Sequence, residues 1–174
     1  GYRVQVNEAN YNNEIGVPLC LLELRPETER AVIEMGMYTT GEIALLCRWT
    51  RPRIGIVLNV GPTHLERAGS IDAITRAKRE LVEALPADGI AVLNIDDERV
   101  RSMAEHTPAR VWWFGTDERA DVRGTDLVSD GARGFDFTLH HGGAERRLHV
   151  PLPDHVQLHG GLRAGIAERH VLLV

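Results

Sequence analysis

The run IGIVLNV at 54–60 constrains the fold more than any other stretch of the chain. It is almost wholly apolar, β-branched at several positions, and lacks the polar alternation of a half-wet strand. Such a run reads as a strand covered on both faces. It also does not stand alone. ERAVIEM (29–35), GIAVLNI (89–95) and RVWWFG (110–115) read the same way. Between them, TTGEIALLCRWTR (39–51) and SIDAITRAKRELVEAL (70–85) carry helical spacing, and a short helix follows GIAVLNI. Strands that alternate with helices predict an α/β fold: a mostly parallel, Rossmann-like sheet with helices on both faces.

After about Ala120 the texture changes. DVRGTDLVSD, GFDFTLHHGG and ERRLHVPLP read as short antiparallel strands joined by Gly turns, with His140-His141-Gly142-Gly143 as a hairpin tip. We expect an α/β core over about 1–115 and a small antiparallel extension over about 120–153. Residues 154–174 form an ambiguous tail, where Gly160-Gly161 weakens any helix. The length of 174 residues suits one domain.

Composition removes some functions. A net charge of −5 and a pI near 5.9 argue against a nucleic-acid partner. No apolar run reaches the ~18 residues of a membrane span. Cys20 and Cys47 are isolated and lack metal spacing, which fits reduced structural thiols in a cytoplasm.

Basic residues are more telling. Of 20 lysines and arginines, only Lys78 is lysine. On a helical wheel it shares one stripe with Ile71, Ile74, Leu81, Val82 and Leu85. An aliphatic stem can pack there with its ammonium snorkelling out, but arginine does that too. What arginine cannot do is lose its charge on desolvation and become a nucleophilic amine. Such an amine can take up carbon dioxide as a carbamate, in effect a long carboxylate able to hold a metal.

Ligands of an open parallel sheet bind beyond the carboxyl ends of its strands. Glu34 ends AVIEM, His64 follows IVLNV in GPTHLE, and Asn94 ends AVLN ahead of Asp96 and Asp97. Each has a plainer reading: a water-facing strand end, a turn cap, turn chemistry. Together they put an acid, an imidazole and an amide on one rim, a set that suits a divalent ion beside phosphates.

The stretches NYNNEIGVPLCLLEL (10–24), AVIEMGMYTTGEIALL (31–46), IGIVLNVGPTHLERAGSIDAITRAKREL (54–81) and LNIDDERV (93–100) resemble the central, ATP-binding domain of the Mur ligase family. The resemblance spans roughly residues 7–100. It implies ATP and Mg2+ as cofactors, and an amide bond formed between UDP-N-acetylmuramoyl-tripeptide and D-Ala-D-Ala through an acyl phosphate. It implies that Glu34, His64 and a carbamylated Lys78 are the metal ligands and the catalytic set. It puts Asn94 and Asp97 on the nucleotide side, with Asn13 and Glu14 bordering the phosphates. It also implies a monomeric full-length enzyme of peptidoglycan synthesis.

The family's GxxxxGK[ST] phosphate loop is not in this chain, whose one lysine lies elsewhere. We therefore expect part of a larger ligase, inactive alone, lacking the first strand and phosphate loop and left with an open central sheet edge. The competing readings are a non-catalytic remnant or binding module of the same fold, and another amide ligase of the superfamily, such as a folylpolyglutamate synthase.

Overall fold

The computed structural model describes residues 1–8, 10–62, 69–129 and 133–151, and the main chain of 171–173. Nine strands are described: β1 (Val4–Val6), β2 (Arg30–Glu34), β3 (Ile54–Val57), β4 (Ile90–Asn94), β5 (Arg110–Gly115), β6 (Val122–Ser129), β7 (Phe135–His141), β8 (Ala144–Val150) and β9 (Val171–Leu173). They form one sheet in the order β1-β2-β9-β3-β4-β5-β6-β7-β8. β1 runs parallel to β2, and β3 to β6 run parallel in succession. β9 is antiparallel to both of its neighbours, β2 and β3, so those two point the same way. The carboxyl ends of β1 to β6 therefore lie along one edge.

The expected apolar runs are the strands, trimmed by up to three residues at their ends. The helices are α1 (Gly16–Leu22), α2 (Glu42–Thr50), α3 (Ile71–Glu83) and α4 (Glu98–Ser102), the last continued by a 3-10 turn over Met103–His106. They pack side by side, α1 on α2, α2 on α3 and α3 on α4. Their inner faces and the facing sheet residues make the core, where Val17, Ile33, Met35, Leu46, Ile74, Val82 and Leu93 are fully buried.

Two helix starts show how local chemistry sets boundaries. Ser70 is extended, and its hydroxyl accepts from the Ala73 N–H at 3.1 Å, an N-cap that fixes where α3 begins. The Thr39–Glu42 capping box is half made. Glu42 reaches back to the N–H groups of Tyr38 and Thr39, while the Thr39 hydroxyl turns to the Glu42 carboxylate. Gly41, in the left-handed region at φ 96°, takes the cap position, so α2 starts two residues later than a box at Thr39 dictates.

The extension forms as expected. β6, β7 and β8 are an antiparallel meander. His141 pairs with Ala144 across a two-residue turn whose Gly142 and Gly143 both have positive φ, 58° and 80°. That is the turn that matches the twist of a hairpin.

The expectation of an open central edge is corrected. The position between β2 and β3 is occupied by β9, which pairs Val32–Glu34 on one side and Ile54–Gly55 on the other. The pairing is non-local and needs only three residues, too few for a sequence pattern to announce.

Candidate functional site

Glu34 closes β2 at the carboxyl edge. Three asparagine contacts fix it. Asn7 brackets its backbone, accepting from the Glu34 N–H at 2.9 Å and donating to the Glu34 carbonyl at 3.1 Å. The Asn12 amide donates to Glu34 Oε1 at 2.7 Å. Asn12 comes this close because Gly36 has no side chain: a Cβ there would sit 2.9 Å from Asn12 Cγ and Oδ1. One carboxylate oxygen is thus held by the protein. Among the described residues the other has no partner, as a cation ligand requires.

Asn13 and Glu14, the expected phosphate-side pair, lie at the turn before α1. The Asn13 side-chain oxygen accepts from the N–H groups of Ile15 and Gly16 at 3.0 and 2.9 Å, closing the turn that opens α1. Glu14 is exposed. In NYNN it is Asn12, not singled out from the sequence, that meets Glu34. The motif was visible. Which of three asparagines turned inward depended on the loop.

Lys78 lies where the helical wheel puts it, buried among Ile74, Ala77, Leu81 and Val82 and only 8% exposed. Its Nζ donates to the Asn59 carbonyl at 2.7 Å, just past the end of β3. Burial draws the amine down from its ordinary 10.5 to about 8, and the nearby Asp97 carboxylate opposes part of that fall. At pH 7 roughly a tenth of such amines is uncharged, against almost none for a solvated lysine.

Asn94 and Asp97 are buried beside it, 2% and 7% exposed. The Asn94 amide donates to the Leu58 carbonyl at 2.8 Å and accepts from the Asp96 N–H at 2.9 Å. Asp97 caps α4 through one oxygen, which accepts from Arg99 and Val100. Its other oxygen accepts from the Val60 N–H at 2.9 Å. Asp96 faces the next loop, holding the N–H groups of Thr116 and Asp117.

The structure therefore gathers Lys78, Asn94 and Asp97 around residues 58–60. Glu34 lies on the same edge across β9, two strand spacings or about 10 Å from β3 itself. His64 lies outside the described residues. Among the described residues no three His, Cys, Asp or Glu side chains gather in a group that could hold a metal ion. A site built there needs a further ligand, and a carbamylated Lys78 would be one. A separate cavity of about 520 Å³, lined in part by Cys47, Arg48, Arg51 and Pro86, opens where α2 ends and β3 begins, at the opposite edge. Among the described residues no helix is long and apolar enough to cross a membrane.

Residues 1–161 match the family described as the Mur ligase middle domain. The UDP-N-acetylmuramoyl-tripeptide–D-alanyl-D-alanine ligase of Synechocystis sp. is 40% identical over 136 residues, 74% of this chain and 29% of that protein. Its counterpart in Escherichia coli is 36% identical over 157 residues, 89% of this chain and 34% of that protein. Among solved structures, MurF from Acinetobacter baumannii superposes with a TM-score of 0.81 at 29% identity, covering 87% of this chain and 33% of that one. MurF ligase from Thermotoga maritima, solved in complex with ADP, gives 0.73 at 26% identity, covering 85% and 34%. The chain spans about a third of the length of the curated relatives it matches. With the family description covering nearly all of its residues, and with this sheet and rim, the chain belongs to the Mur ligase middle-domain family.

Proposed function

We propose that this chain is the nucleotide-side part of an ATP-dependent amide ligase that joins UDP-N-acetylmuramoyl-tripeptide to D-Ala-D-Ala. The reading rests above all on Lys78. A lone lysine, buried on an apolar helix stripe and aimed at the strand edge, is an expensive thing to keep unless its amine has a use.

In this reading the neutral Lys78 amine attacks carbon dioxide. A bond forms from Nζ to carbon, a proton passes to water, and a carbamate results. The carbamate nitrogen keeps one hydrogen, so its bond to the Asn59 carbonyl can persist and orient the new carboxylate. Glu34 would hold one Mg2+ at the terminal phosphates, and His64 with that carbamate a second near the acceptor carboxylate; the ions would supply charge neutralisation there. Glu34 suits the task because Asn12 fixes one oxygen and leaves the other toward the rim. Asn94 and Asp97 stand on the nucleotide side. ATP phosphorylates the peptide carboxylate, the amine of D-Ala-D-Ala attacks the acyl phosphate, and phosphate leaves. The work of the protein is positioning and electrostatics. The 174-residue chain carries no phosphate loop of its own, so alone it turns over negligibly and holds ATP weakly.

The test uses the complete ligase. Lys78→Arg keeps the charge yet abolishes amide formation, and 13C-bicarbonate gives a carbamate resonance in the parent that the variant lacks. Parent-like rates in the arginine variant would refute the reading.

A further inference from the structure

We propose that Asn94 and Asp97 are positioning residues that, with Lys78, grip the main chain of Leu58–Val60 and serve ligation by fixing that peptide rather than by touching nucleotide. The consequence for ligation rests on the function proposed above; the grip itself does not.

β3 ends at Val57, so the next three residues have left the described ladder. Buried backbone groups in that position need partners. Each of the three finds one on a different element. The Leu58 carbonyl takes the Asn94 amide from the end of β4. The Asn59 carbonyl takes the Lys78 amine from α3. The Val60 N–H goes to Asp97 at the head of α4. Three buried side chains thus hold the two consecutive peptide groups Leu58–Asn59 and Asn59–Val60, and those groups set where the Lys78 amine points.

The chemistry of the two residues fits this task more closely than ligand binding. Asp97 spends both oxygens on three N–H donors, at 2.9, 3.0 and 3.2 Å. Asn94 uses one N–H and its oxygen at once. Neither exchange is tolerant. An amide in place of the Asp97 carboxylate turns an NH2 toward N–H groups. A carboxylate in place of the Asn94 amide faces a carbonyl.

Asp97→Ser separates the grip from the cap. Serine caps α4 but is too short to reach Val60. In the 174-residue chain, hydrogen exchange by NMR is expected to show the Val60 amide at least about tenfold faster in Asp97→Ser, with Arg99 and Val100 still protected. Asn94→Ala, which leaves Asp97 intact, gives a second reading and frees the same segment. An unchanged Val60 rate in Asp97→Ser overturns the grip. In the complete ligase, Asp97→Ser is expected to lower kcat by about tenfold or more while the KM for ATP stays within about twofold. A raised KM for ATP with kcat kept, or unchanged kinetics, overturns the positioning role. A parent ligase that forms no amide at all refutes the proposed function, while the exchange experiment still decides the grip.

Discussion

Replacing Lys78 with methionine tests the energetic core of the site. Burial lowers the folded-state pKa of this amine to about 8, against 10.5 when solvated. The sign follows from proton counts. Between those two values the unfolded chain holds more protons than the folded one, so stability rises with pH across that window. Below it, the full cost of the buried charge is present. The gap corresponds to about 3 kcal/mol, of which roughly 2.5 kcal/mol is recovered between pH 7 and pH 10. Lys78→Met removes the titrating group and also strands the Asn59 carbonyl, but that second cost does not vary with pH. Subtracting the two unfolding free energies at each pH therefore isolates the amine. Urea denaturation of both proteins at pH 7, 8, 9 and 10, in bicarbonate-free buffer, is expected to show the parent gaining on the variant by about 2 to 3 kcal/mol over that range. Parallel pH profiles, differing by a constant, would mean that the amine is solvated in the folded state. The argument for a reactive lysine would fall with it.

Further expectations concern the residues around the rim. Gly36→Ala places a methyl group against the Asn12 amide and should cost about 1–3 kcal/mol by urea denaturation; a neutral result would show that Asn12 moves freely away from Glu34. Ser70→Ala removes the cap of α3 and should cost about 1 kcal/mol, read as a lowered Tm at unchanged fold by circular dichroism. Asp96→Ala releases the Thr116 and Asp117 N–H groups and should cost about 1–2 kcal/mol, with the loss of exchange protection confined to those amides.

The parallel core could be read from the chain because its signals are local and redundant. The apolar runs at 54–57 and 90–94 differ in period from the stripe of Ile74, Lys78, Leu81 and Val82, and each element confirms its neighbour's type. The burial of Lys78 followed from the same stripe. Contacts decided by loop geometry could not be read this way. Asn12 and Asn13 are adjacent and chemically identical, yet one meets Glu34 and the other closes a turn. Asp97 carried half a signal. An aspartate directly before ERVRS marks a helix cap, but nothing local says that its second oxygen crosses to Val60. Gly41 displaced the start of α2 because a left-handed residue can take the cap that Thr39 was expected to hold.

The three residues of β9 carry more than their length suggests. Antiparallel to two strands that run alike, they offer hydrogen-bond groups to both sides at once. Cutting the chain before Val171 would convert an interior seam into two facing rims of bare peptide, Val32–Glu34 and Ile54–Gly55, each able to recruit a neighbouring molecule. The solution behaviour of this protein, whether dispersed or self-associating, thus depends on a three-residue stitch between β2 and β3.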